Sequence, residues 1–295
     1  MLKLLLCCIL ATLPPQLAAD GAPHTYTKPV TDFPWPEPRV WTDGIQYYSV
    51  ATGIRQVMAS TDLHDWGGTG VRPSEDMRRL RSMAKNFWAP DVAKVGDSWK
   101  MYLTLYNSAE DSAIGVFDSP EAGGPFTFVR KLTRSVDTGI KDTIDPELVH
   151  DPSSGENWLF FGSIGGIHRV RLDARGENVT GSYEHVAGLT IEQDYTRSKV
   201  FEGSYLHWHD GFWYLFASSG NYWDHTYRIV VGRSPSLDGE FLDKEGRRMA
   251  EGYASTVMHS DRGDRFFGPG HNGEIITDDA GQDYIFYHCH DIKIS

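Results

Sequence analysis

Cysteine is nearly missing from this chain. Cys7, Cys8 and Cys289 are the only three among 295 residues. A disulfide framework is excluded, and the fold must rest on a hydrophobic core. Positive charge is also short: 28 Lys and Arg stand against 40 Asp and Glu, a net charge of −12 with no basic cluster. That balance argues against nucleic acids and anionic membranes as partners. Long apolar runs are absent as well, since the longest, Leu4 to Leu13, is too short to span a bilayer. Nor is there a long segment with helical periodicity. The best candidate is Ser74 to Lys85, with Glu75 and Asp76 early and Arg78, Arg79 and Arg81 late, an order that suits the helix macrodipole.

The apolar run has another use. Lys3, the run itself and the small residues Leu17-Ala18-Ala19 have the layout of a secretory leader over residues 1–19. Its removal would take away Cys7 and Cys8 and leave Cys289 alone. The expectation is a soluble, secreted, extracellular protein, monomeric, with residues 20–295 as one domain. Asn178-Val179-Thr180 is a possible glycosylation site.

What the chain has in quantity is a repeated phrase: a short strand, a turn glycine and an aromatic-rich strand. Gly44, Gly96, Gly155, Gly211 and Gly281 are the five turn glycines, spaced 52, 59, 56 and 70 residues apart. Tyr47-Tyr48, Trp99-Lys100-Met101-Tyr102, Trp158-Leu159-Phe160-Phe161, Phe212-Trp213-Tyr214 and Tyr284-Ile285-Phe286-Tyr287 follow them in turn. Short strands repeating at this period predict an all-β fold, a five-bladed β-propeller with one sheet per repeat. The chain stops at Ser295 without an outer half for the fifth repeat, so the last blade is expected to be incomplete.

Ahead of each turn glycine stands a second recurring feature: Glu37-Pro38, Pro90-Asp91, Asp145-Pro146, Glu202-Gly203 and Gly270-His271. The innermost strands of a propeller line its axis, so a polar residue at one end of each converges on a single patch. Several carboxylates and a histidine meeting in a cleft suit acid–base chemistry. Each pair by itself is also an ordinary turn dipeptide, and only recurrence in phase favours the site.

Phe87-Trp88-Ala89-Pro90-Asp91, Ile144-Asp145-Pro146, Phe201-Glu202-Gly203, Val231-Gly232-Arg233-Ser234 and Gly268-Pro269-Gly270-His271-Asn272 with Tyr287-His288 together resemble the family 43 glycoside hydrolases. The resemblance is nearest to their endo-1,5-α-L-arabinanases and covers nearly the whole mature chain. It implies a secreted glycosidase that hydrolyses the α-1,5-linked arabinan of plant cell walls with inversion. It also implies roles. Glu202 matches the general acid, and Asp145 the carboxylate that orients the acid and raises its pKa. Glu37 stands at the general-base position, where the family has aspartate; that departure leaves Glu37 as base, Asp32 in its place, or weak activity all open. His271 matches an axial histidine that holds an ion, often calcium. Trp88 matches the aromatic platform under the sugar, and Ile114 and Gly115 match a stretch beside the subsites. Asp91 is read as structural. An exo-acting arabinofuranosidase or β-xylosidase, and a catalytically weak carbohydrate-binding propeller, are the alternatives.

Overall fold

The computed structural model describes residues 4–10, 29–31, 33–74, 77–189, 200–278 and 281–293. Five antiparallel sheets form a five-bladed β-propeller, as the repeat predicts. Blade 1 runs Arg39–Thr42, Tyr47–Val50, Met58–Ser60 and Gly67–Gly68. Blade 2 is the longest-stranded, with Asn86–Val95, Ser98–Ser108, Asp111–Ser119 and Thr127–Arg134. Blade 3 comprises Glu147–Asp151, Glu156–Phe161, Ile167–Leu172 and Glu184–Ala187. Blade 4 comprises Phe201–His209, Phe212–Ser219, Arg228–Ser234 and Ser255–Met258.

The fifth sheet draws on both ends of the chain. Asp283–Asp291 pairs on one side with Phe266–Gly270 and Ile275–Thr277, which are two pieces of one inner strand interrupted at His271. On its other side it pairs antiparallel with Leu4–Leu10. The sheet is extended by a strand from the opposite end of the sequence, which no local pattern could reveal; with its inner strand in two pieces it holds three strand positions where the other sheets hold four. Leu4–Leu10 is the same apolar run that has the layout of a leader.

The five turn glycines all have positive φ, between 60° and 88°. At Asp210-Gly211 both residues do, which is the requirement of a two-residue hairpin turn between His209 and Phe212. The expected helix is present as Met77–Met83, while Glu75 and Asp76 lie outside the described residues. Its Leu80 is fully buried against the first two blades.

The core comes in five pieces, one between each pair of neighbouring blades. Trp41, Tyr48, Met101 and Phe117 join blades 1 and 2, and Tyr102, Ile114 and Leu159 join blades 2 and 3. Trp158, Phe160, Trp213 and Leu215 join blades 3 and 4; Tyr205, Phe216 and Tyr287 join blades 4 and 5; Val40 and Phe286 join blades 5 and 1. Each sheet is covered on both faces, so its central strands read as continuous apolar runs rather than alternating ones. Met101 to Leu105 is buried without interruption.

Candidate active site

One residue at the axial end of each inner strand has a left-handed backbone. These are Glu37 (φ 55°), Ala89 (40°), Asp145 (56°), Gly203 (59°) and His271 (47°). For the four that are not glycine this conformation is costly, roughly 1 kcal/mol each. A cyclic set of hydrogen bonds accompanies it, in which each of these five N–H groups donates to the preceding blade. Ala89 N–H donates to Thr52 Oγ1 (2.7 Å), Asp145 N–H to Thr104 Oγ1 (3.0 Å) and Gly203 N–H to Asp145 Oδ2 (3.1 Å). His271 N–H donates to Ser218 Oγ (2.6 Å), and Glu37 N–H to His288 Nδ1 (3.1 Å), which closes the circle. The strain and the ring of bonds occur at the same five positions, and together they bring the side chains of distant segments to one end of the axis.

Three carboxylates and a histidine meet there. The His271 Nδ1 atom lies 3.7 Å from Glu37 Oε1 and 3.8 Å from Asp145 Oδ2. Glu202, one residue before the left-handed Gly203, is held by two hydroxyls: Ser163 Oγ donates to its Oε2 at 2.5 Å and Tyr227 Oη to its Oε1 at 2.8 Å. Thr52 donates to Glu37 Oε2 while accepting from Ala89, which fixes the Glu37 carboxylate on the blade 1 side. Glu37 is the more open of the first pair, with a quarter of its side chain accessible against 5% for Asp145.

No lysine or arginine pairs with these three carboxylates among the described residues, and burial disfavours their charges. Burial, then the charges of Glu37 and Glu202, holds Asp145 well above the ordinary carboxylate range. Burial likewise raises Glu202 and Glu37, opposed by the Ser163 and Tyr227 hydroxyls for the first and by Thr52 and the Ala89 N–H for the second. Burial pulls His271 down to about 4, so the imidazole is neutral at neutral pH. Such a cluster holds protons to higher pH than isolated carboxyls do and offers both a donor and an acceptor to one bound molecule.

Trp88 is half-buried beside the axial Ala89 and stacks on Tyr106 with centroids 4.1 Å apart and planes 27° apart. Ile114 and Gly115 do not reach the site. Ile114 has no accessible surface and packs between blades 2 and 3, and a side chain at Gly115 would meet Leu105, Phe117 and Phe128. The reason is strand position: both sit mid-strand in Asp111–Ser119, buried from Ser112 to Phe117. Asp91 belongs to a layer one step deeper, as its structural reading implied. There Arg39 forms ion pairs with Asp91 (2.6 Å), Glu147 (2.5 Å) and Glu274, tying blades 1, 2, 3 and 5 together. Asp32 lies outside the described residues.

Ser163, Tyr227 and the hydroxyl ring went unrecognised from sequence. One signal was available: Thr52, Thr104 and Ser218 each stand fifteen residues after Glu37, Ala89 and Gly203. The phase becomes visible only when Ala89, rather than Asp91, is taken as the axial residue of blade 2.

Residues 26–293 match the family described as glycosyl hydrolases family 43. The extracellular endo-α-(1→5)-L-arabinanase 1 of Bacillus subtilis is 30% identical over 263 residues, covering 82% of this chain and 78% of that protein. The extracellular exo-α-(1→5)-L-arabinofuranosidase of Cellvibrio japonicus is 26% identical over 277 residues, covering 86% and 78%. Among solved structures, the Cellvibrio cellulosa α-L-arabinanase complexed with arabinohexaose superposes with a TM-score of 0.75 at 25% identity, over 88% of each chain. An axial cluster of carboxylates on five blades, with a match along nearly the whole sequence, gives one conclusion: the chain belongs to glycosyl hydrolase family 43 and is a glycoside hydrolase.

Proposed function

We propose that this hydrolase cleaves α-1,5-linked L-arabinan by an inverting mechanism, acting within the chain. The observation that carries the reading is the gathering of Glu37 from blade 1, Asp145 from blade 3 and Glu202 from blade 4 around His271. Glu202, raised by burial and gripped by Ser163 and Tyr227, donates a proton to the departing glycosidic oxygen. Glu37, more accessible than Asp145, takes the proton of the attacking water on the opposite face of the sugar. Asp145 accepts the Gly203 N–H next to Glu202, and ionisation of either carboxyl disfavours ionisation of the other, so the pair holds a proton for the acid step. Trp88, on its Tyr106 support, is the apolar floor for a sugar ring. The arabinan preference rests on the two relatives named for that linkage. Endo action rests on the higher identity to the endo-acting one, and exo action is the second reading because the other relative is named for it. Incubation with linear arabinan tests the substrate, and oligosaccharides longer than arabinose among the first products test endo action. Proton NMR of the initial product tests inversion: the β anomer supports it, and the α anomer rejects it.

Glu37, Asp145 and His271 present donor atoms that all lie within 4.8 Å of one another. With two carboxylates that pair with no lysine or arginine among the described residues, and His271 neutral, the set fits a cation. Calcium takes about six to eight oxygen ligands, so water would complete it. A bound ion would offset the charge of the cluster and fix the His271 ring. Added calcium is expected to raise Tm and EDTA to lower it; equal melting curves in both would reject the ion.

Export is proposed from the leader-like residues 1–19 and from the extracellular relatives. N-terminal sequencing of the protein from culture medium tests it. A mature chain starting near residue 20 would lack the strand Leu4–Leu10 and leave that edge of Asp283–Asp291 without it.

A further inference from the structure

Most aromatic side chains of this molecule are buried between blades, but Tyr222 and Trp223 are not: 40% and 57% of their surfaces are exposed. Their rings lie against one another, with centroids 3.6 Å apart. They stand at the tip of the connection between Phe212–Ser219 and Arg228–Ser234 of blade 4. Both ends of this connection are site residues. Ser218 accepts the His271 N–H, and Tyr227 donates to Glu202. Between them the loop is tied into one shape. Thr226 Oγ1 accepts the Asn221 N–H at 3.0 Å, Asp224 Oδ1 accepts the Thr226 N–H at 2.8 Å, and His290 of blade 5 donates to the Tyr222 carbonyl at 2.6 Å. The aromatic pair is therefore presented at the mouth of the site on a braced support.

We propose that Tyr222 and Trp223 form a second sugar platform, which holds a unit of the arabinan chain beyond the pair of sugars being cleaved. An apolar ring face covers the C–H face of a sugar, while the tyrosine hydroxyl and indole N–H remain free to bond hydroxyls at the edge. The charges of Glu202 and Glu37 reach the Tyr222 phenol and, after burial, help push it up, in keeping with a place beside the cluster. The platform rests on the arabinan reading and deepens it: it favours substrates long enough to reach from the cluster to blade 4.

Steady-state kinetics of the full chain on α-1,5-linked arabinohexaose and arabinotriose test it. Trp223→Ala is expected to lower kcat/KM for the hexaose about tenfold, mainly through KM, and several-fold less for the triose, with Trp223→Phe recovering most of the loss. Equal losses on the two oligomers, or none on the hexaose, would overturn the platform and leave the arabinan reading standing. A wild-type protein that cuts neither oligomer would overturn both. As a binding measurement, arabinohexaose should shift the tryptophan emission of Glu202→Gln more than that of Glu202→Gln/Trp223→Phe, in which only Trp88 of the two platforms still reports. The same shift in both would also reject the platform.

Discussion

At the scale of single residues, function turns on which carboxylate gives a proton and which takes one. The two roles separate by leaving group. An acid matters most when the departing oxygen needs protonation, and little when the leaving group is a stable phenolate. Glu202→Gln is therefore expected to lower kcat on arabino-oligosaccharides by about 100- to 10,000-fold and to lose much less on a nitrophenyl arabinoside. Glu37→Gln should lose comparably on both, because water must be activated in either case. Measured kcat ratios on the two substrates check this, and identical profiles for the variants would contradict the assignment. At position 37, where the resemblance implies aspartate, Thr52 and the left-handed backbone direct the glutamate carboxylate to the His271 and Asp145 cluster.

At the scale of elements, close approach between strands does the positioning. A Cβ added at Gly270 would lie 2.0 Å from the Tyr227 ring, so only glycine lets the inner strand of blade 5 pass the tyrosine that holds Glu202. Gly270→Ala must displace that ring. It is expected to cost both stability and activity: about 1–3 kcal/mol by the usual penalty for overpacking, seen as a lower Tm, and a fall in kcat. Tyr227→Phe keeps the ring and removes only the hydroxyl. It should lower kcat and shift the pH profile while changing Tm much less, and paired melting and kinetic measurements distinguish the two. Gly203 is constrained twice over, by φ 59° and by the His271 ring, whose Nδ1 would lie 2.9 Å from an added Cβ. It permits the acid Glu202 and the histidine to share one small space.

At the scale of the whole molecule, the axis carries more negative charge than its single arginine can match. Arg39 faces Asp91, Glu147 and Glu274, and removing such a buried cation would strand three acids, at a cost of about 3–5 kcal/mol. Burial pushes Glu274 up to about 7 from 4.5 even beside Arg39. The folded protein then keeps this proton after the unfolded chain has lost it. The stability from this group is present below pH 4.5 and is lost as pH rises toward 7, by ~3 kcal/mol. Glu274→Gln retains an acceptor for the Val40 N–H and removes the ionisation. Urea unfolding at pH 5 and pH 7 should show the variant gaining on the wild type at the higher pH, and a constant difference would contradict the assignment.

The sequence by itself determined the propeller, the number of blades and the four residues, Glu37, Asp145, Glu202 and His271, that the fold gathers at the axis. Turn glycines with positive φ recur in phase, each preceded by a left-handed axial residue, because one backbone solution is repeated five times. Local chemistry suffices for such features: a hairpin at Asp210-Gly211 needs nothing from the rest of the chain. What only the tertiary structure decided involves partners far apart in sequence. Leu4–Leu10 pairing with Asp283–Asp291, Tyr227 reaching Glu202, and Arg39 meeting acids of three other blades have no local signature. Ile114 shows the same divide from the other side: its motif resembled a subsite, but its strand places it between two sheets, where packing claims its whole surface. Short-range backbone preference repeats and can be read; long-range burial and charge neutralisation depend on which strands become neighbours, and that is fixed only when the ring closes.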